Sequence, residues 1–125
     1  MVTEFTETEP LLAAFDAANA KGDKFIVWLT GEINPETNES WCPDCVEAKP
    51  AITRIVDAGV RPVLKGIGSR GEWRGNAEHP YKRHPTIKAA GVPSLILFEG
   101  GMELHRVDDL ANFAQEDLMD MFNED

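Results

Sequence analysis

Five consecutive apolar residues, Phe25-Ile-Val-Trp-Leu29, constrain the fold of this chain more than any other stretch. A strand with one solvated face alternates apolar and polar side chains, so an unbroken run of this length predicts a strand covered on both faces. Covering both faces of a sheet takes helices above and below it, and helical patterns flank the run on either side. Apolar residues make up 42% of the 125 residues, enough to build one core without disulfide or metal staples. A chain of this length predicts one domain spanning 1–125.

The other elements follow from periodicity and punctuation. Val2–Phe5 alternates weakly and predicts a short edge strand. Leu11, Leu12, Phe15, Ala18 and Asn19 recur at helical spacing, which predicts a helix over 9–21 capped by Thr8, with Glu9 and Pro10 in the first turn and Gly22 as its stop. Gly31–Ser40 is polar and turn-rich, the composition of a loop. Pro43–Asp57 predicts a helix with Val46, Ile52, Ile55 and Val56 apolar, kinked by the internal Pro50. Val60–Ile67 reads as a strand made irregular at its start by Pro62. Gly68–Pro85 is the longest irregular stretch, and a short helix around Tyr81–Ala90 is broken by Pro85. Ser94–Phe98 reads as a strand that turns at Gly100-Gly101 into Met102–Val107. A terminal amphipathic helix, capped by Asp109 or Asn112, carries Leu110, Phe113, Leu118, Met121 and Phe122. The order β-α-β-α-β-(α)-β-β-α belongs to the α/β class, with one mixed sheet and helices on both faces.

Charge narrows the partners. The net charge is −10, and it is uneven: residues 1–50 and 101–125 each balance to −7, whereas residues 51–100 balance to +4. So acidic a chain repels phosphate backbones, which makes nucleic-acid binding a poor first expectation; only the middle could attract an anion, and solvated faces are the favoured explanation of its charges. No segment has the roughly 18–20 apolar residues of a membrane span. The acidic beginning lacks the features of a secretory signal, so the expected compartment is the cytoplasm, with no membrane partner.

The chemistry concentrates in Trp41-Cys-Pro-Asp-Cys45, which holds both cysteines of the chain. Cys42 falls at the start of the helix that opens with Pro43. Unpaired N–H groups and the positive end of the helix dipole favour an anion there, which lowers the expected pKa from about 8.5. Cys45 is one turn along, within reach of Cys42. A thiolate at Cys42 could attack a disulfide, and Cys45 could then resolve the mixed disulfide. Asp44 opposes the thiolate beside it and should moderate the effect. The rival reading of C-x-x-C is half of a zinc site. Zinc takes four ligands, there is no second cysteine pair, and His79, His84 and His105 share no compact spacing with this one. The expectation is therefore no metal and no cofactor.

Val92-Pro93 precedes the Ser94–Phe98 strand. Proline cannot donate to a ladder and an X-Pro bond can be cis, which would turn the Val92 backbone outward to pair with an extended substrate; an ordinary trans proline opening a strand is the plainer alternative. Three features in order, Trp41-Cys42-x-x-Cys45, Pro50 five residues beyond the second cysteine, and Val92-Pro93 ahead of a strand and Gly-Gly hairpin, resemble the thioredoxin superfamily over nearly the whole chain. The Cys-Pro-Asp-Cys spacer, the long loop before Trp41 and Trp73 are similar to the small cytosolic WCPDC-type thioredoxin-related proteins. That resemblance implies a thioredoxin fold and a monomeric dithiol reductase with Cys42 as nucleophile and Cys45 as resolver. It also implies substrate contacts at Trp41, Pro43, Asp44, Val92 and Pro93, and electrons from thioredoxin reductase. The substrates implied are cystine and other small disulfides, selected protein disulfides, or nitrosothiols.

The chain departs from thioredoxin where that family keeps a buried Asp on the central strand to help deprotonate the second cysteine. Here Phe25–Leu29 has no acid, and Trp28 or a neighbour takes the place. Asp44, Glu47 or water are candidate bases for Cys45. Trp28 is expected in the core, and Trp41 is divided between core and substrate contact. His79 and His84 read as loop residues, and Lys49 and Arg54 as solvated. The Gly31–Ser40 loop, with Glu32, Glu36 and Glu39, could overhang the site. A non-enzymatic reading stays open beside the reductase: a redox-sensitive interaction protein that binds a signalling partner.

Overall fold

The computed structural model describes residues 1–59 and 61–124. From the amino end these form β1 (Val2–Phe5), α1 (Thr8–Ala20), β2 (Lys24–Gly31), a small hairpin of β3 (Ile33–Asn34) and β4 (Glu39–Ser40), and α2 (Pro43–Ala58). There follow β5 (Val63–Gly68), two four-residue helices α3 (Arg70–Trp73) and α4 (Pro80–Arg83), and the hairpin β6 (Ser94–Glu99) and β7 (Met102–Val107). A 3-10 turn (Leu110–Ala114) and α5 (Leu118–Asn123) end the described chain.

The main sheet has the order β1-β5-β2-β6-β7. β5 runs parallel to both β1 and β2, while β6 is antiparallel to β2 and to β7. β2 is therefore central, and the unbroken run of the sequence is buried from Phe25 to Leu29. Its residues divide by the period of two that a strand imposes. Ile26 and Trp28 pack with Leu95 and Leu97 under α2, the 3-10 turn and α5. Phe25, Val27 and Leu29 pack with Ile96 and Phe98 on the opposite face, against Leu11 and Phe15 of α1 and with Trp73 and Tyr81. Gly100 and Gly101 take φ of +57° and +86°, the left-handed geometry a tight hairpin needs.

Several boundaries differ from expectation for identifiable reasons. The cap of α1 is Glu7, without a side-chain hydrogen bond, and Thr8 is the first helical residue. Gly31–Ser40 holds a register, Ile33 opposite Ser40 and Asn34 opposite Glu39. Its turn closes through the Asn38 N–H on the Asn34 carbonyl (2.7 Å) and the Glu36 N–H on Asn34 Oδ1 (2.9 Å), with Asn38 at φ +61°. α2 continues through Pro50 to Ala58. The Val60 start of the expected strand lies outside the described residues, and β5 begins at Val63. Helix α4 covers Pro80–Arg83 rather than Tyr81–Ala90; its first turn opens at Pro80, where the missing N–H costs nothing.

The terminal helix is two pieces. Asp109 Oδ1 accepts the Ala111 N–H at 3.1 Å and caps the 3-10 turn, and α5 starts afresh at Leu118. In one continuous helix, side chains five positions apart would diverge by about 140°. The break lets Phe113 and Leu118 both reach the core, where each is at most 5% exposed.

Phe15 locks α1 to the sheet, its ring edge-on to Phe98 at 4.9 Å, Phe25 at 5.7 Å and the His84 ring at 5.2 Å. Phe15→Ala should lower the free energy of unfolding by about 3–5 kcal/mol, read from the urea midpoint. Met102→Ala, at a residue 66% exposed, should stay within about 0.5 kcal/mol.

Candidate active site

The site forms where β2 ends. Ser94 of β6 pairs with Leu29, so Val92 and Pro93 come level with Thr30 and Gly31. Gly31 pairs with Gly68 at the end of β5. The Gly68 carbonyl then accepts two donors, the Glu32 N–H at 2.9 Å and the Trp41 indole N–H at 2.8 Å. These bonds tie the β3–β4 hairpin to the sheet and bring Trp41 and Cys42 back to the β2 terminus from which the chain departed. Trp41 is half-buried and packs against the α1 side of the core.

Cys42 is the N-cap of α2, in extended geometry (φ −97°, ψ 108°), with Pro43 as the first helical residue. Its sulfur accepts the Cys45 N–H at 3.1 Å, as an N-cap side chain does for a backbone donor with no helical partner. The Cys42 thiol donates to the Val92 carbonyl at 3.4 Å, and the Val92–Pro93 bond is cis. That carbonyl thus lies beside the sulfur. Cys45 Sγ accepts the Gly31 N–H at 3.4 Å. Both cysteines are free thiols, 5% and 4% exposed.

Burial pushes the Cys45 thiol up to about 12, and its hydrogen bond with Cys42 adds to this; hydrogen bonds from the Thr30 hydroxyl and the Gly31 amide work in the opposite direction. Cys45 is therefore a protonated thiol at neutral pH. Of the other expected site residues, Pro43 and Asp44 are exposed on the first turn of α2, Val92 is half-buried and Pro93 is buried. The structure gathers all seven at one end of the sheet.

Trp28 is in the core, 6% exposed, with no hydrogen-bond partner for its indole N–H among the described residues. Lys65 Nζ lies 4.4 Å from the centre of its ring and pairs with Glu4 at 3.1 Å. Trp28, Lys65 and Glu4 line a cavity of about 330 Å³ that reaches Cys45, Thr30 and Ser40 and is bordered by Glu32, Glu39 and Lys49. Asp44 and Glu47, the candidate bases, are exposed and do not line it. Among the described residues, no group of three or more His, Cys, Asp and Glu side chains is arranged to hold a metal ion. No helix is long and apolar enough to cross a membrane among those residues.

His79 and His84 lie outside every helix and strand, as expected of loop residues, and flank α4 as its two caps. His79 is 2% exposed, packs 4.5 Å from the Trp73 ring and accepts the Tyr81 N–H on Nδ1 at 3.2 Å. Burial, reinforced by the charge of Lys82, holds its pKa below the ordinary value. His84 Nδ1 accepts the N–H groups of Thr86 and Ile87, at 3.1 and 3.2 Å, ahead of the Val92-Pro93 segment. Thr30, Gly31, Ser40 and Gly68 went unnoticed in the sequence because small polar residues in a turn-rich stretch carry no pattern. Only the pairing of β2 with β5 shows what they touch.

A thiol that keeps its proton is a poor nucleophile, so limited iodoacetamide at pH 7 should label Cys42 and leave Cys45. Cys45 labelling should rise with pH toward its raised pKa. Equal labelling at pH 7, read by peptide mass spectrometry, would contradict the assignment.

Comparison with known proteins agrees with this geometry. The thioredoxin O1 structure from Arabidopsis thaliana superposes with a TM-score of 0.64 at 17% identity, over 98% of each chain, which establishes the shared fold. The thioredoxin-like protein Clot of Oryza sativa subsp. japonica is 34% identical over 116 residues, covering 86% of this chain and 81% of that protein. A Leishmania infantum protein named acireductone dioxygenase is 34% identical over 102 residues, 76% of this chain, but the chain spans only 29% of that relative's length. The thioredoxin domain described as thioredoxin domain-containing protein 17-like matches residues 1–125. The paired thiols at the head of α2, the fold that presents them and this full-length match agree, and the chain belongs to the thioredoxin domain-containing protein 17-like family.

Proposed function

We propose that the chain is a thiol–disulfide oxidoreductase that reduces disulfides with Cys42 and Cys45. The observation that supports this best is the 3.1 Å contact of the Cys45 N–H with Cys42 Sγ, at a helix start beside the Val92 carbonyl. A donor in that position stabilises negative charge on Cys42 as the attacking thiolate.

The reaction balances in two exchanges. The Cys42 thiolate attacks one sulfur of R–S–S–R′, forming Cys42–S–S–R and releasing R′S⁻. Cys45 then loses its proton and attacks Cys42 Sγ, forming the Cys42–Cys45 disulfide and releasing RS⁻. The substrate has gained two electrons, the dithiol has lost two, and the released thiolates take up the protons. Thioredoxin reductase, carrying electrons from NADPH, is the proposed donor that restores the dithiol. A reducing compartment, the cytoplasm, suits a pair whose working form is the dithiol.

The proposed substrates are small disulfides such as cystine, together with selected protein disulfides and nitrosothiols. The site favours narrow selection: both sulfurs are buried, and the hairpin against them carries Glu32, Glu36 and Glu39. Acidic protein surfaces meet repulsion there, whereas a small disulfide does not need to approach over that surface. The chain is proposed to act as a monomer.

In an assay with NADPH and thioredoxin reductase, cystine should be turned over and insulin much less so. Cys42→Ser should abolish turnover, and Cys45→Ser should accumulate a mixed disulfide with substrate, seen by mass spectrometry. Full activity of Cys42→Ser would sink the proposal. Absence of turnover with any reductase would favour the redox-sensitive interaction protein instead.

A further inference from the structure

We infer that Ser40 is a positioning residue for the dithiol, its hydroxyl acting as the buckle that holds Cys42 and Cys45 at the distance exchange requires. This rests on the reading of the two cysteines as a redox pair. The Ser40 hydroxyl donates to the Gly31 carbonyl at 2.9 Å and accepts the Cys42 N–H at 3.1 Å. Gly31 in turn donates its N–H to Cys45 Sγ at 3.4 Å, and Cys45 donates its own N–H to Cys42 Sγ at 3.1 Å. The four contacts close a ring, Gly31–Ser40–Cys42–Cys45, in which every link is a hydrogen bond.

A hydroxyl has one proton and two lone pairs. With its proton committed to Gly31, what it offers Cys42 is a lone pair, and the rotor has one orientation that satisfies both neighbours. No other residue type of that size both donates and accepts there: alanine would leave the Gly31 carbonyl and the Cys42 amide unpaired. The packing is as restrictive as the bonding. A Cβ at Gly31 would come within 2.6 Å of Ser40 Oγ, 2.9 Å of Trp41 Cε2 and 3.0 Å of Cys42 Cβ. A glycine at the end of β2 is what lets the hydroxyl approach.

Resolution is the step that depends on this ring. After Cys42 has formed a mixed disulfide, the Cys45 thiol gives up its proton and its sulfur attacks Cys42 Sγ; the Cys42–S–S–R bond breaks and RS⁻ leaves. Cys42 is the extended N-cap that joins the hairpin to α2, and Cys45 lies in the first turn of that helix, so the approach of one sulfur to the other follows the placement of the Cys42 backbone. Ser40 sets that placement by joining the Cys42 amide to the end of β2. A displacement of about 1 Å at such a step can cost on the order of a hundredfold in rate.

The test uses the full reduced chain with 5,5′-dithiobis(2-nitrobenzoate), which releases one thionitrobenzoate when Cys42 is captured and a second when Cys45 closes the disulfide. Ser40→Ala should slow the second release by about tenfold, while the first changes by less than about threefold. The isosteric pair Ser40→Thr and Ser40→Val separates hydroxyl from shape: threonine should restore the second phase and valine should not. Should Ser40→Ala fail to fold by circular dichroism, the threonine–valine comparison decides. A second phase as fast in Ser40→Ala or Ser40→Val as in the parent overturns the proposal, even if those variants melt at lower temperature. A parent chain that releases no second equivalent overturns the redox reading itself, a result distinct from indifference to Ser40.

Discussion

Because β2 has no face toward water, its carboxyl end is the fixed point from which the site is built. Core packs on both sides of Phe25–Leu29, and β5 and β6 flank the strand along its length. Thr30 and Gly31 extend past Ser94, the first residue of β6, so Gly31 is held by its neighbours while remaining free to contact the start of α2. The same terminus contacts Cys45 through the Gly31 amide and accepts Ser40 through the Gly31 carbonyl. A strand able to shift would carry all of these groups with it. Burial on both faces removes that freedom, since any shift would leave packed side chains without contacts.

The two cysteines are nearly equal in exposure and differ sharply in surroundings. Cys42 Sγ caps a helix, accepts the Cys45 N–H and lies beside the Val92 carbonyl, whereas Cys45 Sγ, one turn further in, meets the Gly31 N–H, Thr30 and the low-polarity interior. Burial sets the interior thiol apart: Cys45 holds its proton at neutral pH. The central strand offers no carboxylate for that proton. Trp28 faces Lys65 there, and Lys65 is paired with Glu4 across a cavity that also reaches Cys45.

Much of this was legible in the residue order. The unbroken apolar run, the Gly-Gly hairpin and the one-turn helical spacing of Leu11 and Phe15 led to the observed sheet and helices, and Trp41-Cys-Pro-Asp-Cys45 with Val92-Pro93 pointed to the residues that meet at its end. What the residue order hides has a common cause in tertiary packing. Phe113, Leu118 and Phe122 look like one amphipathic helix, yet the core admits them only after a break at Gln115–Asp117. His79 lies in a loop as its sequence suggests, but a polar side chain between Glu78 and Pro80 gives no sign of burial, and its ring packs against Trp73 and Tyr81.

The sequence by itself determined the class of fold and the chemistry available, since hydrophobic period and the spacing of two thiols are local properties carried by neighbouring residues. Tertiary structure alone decided which groups surround the sulfurs. Gly31 is fourteen positions from Cys45 and Gly68 is twenty-seven from Trp41, and their contacts form where parallel pairing aligns the ends of β2 and β5. Hydrogen bonds across such separations depend on strand register, and register is settled by how side chains from distant segments fill one core.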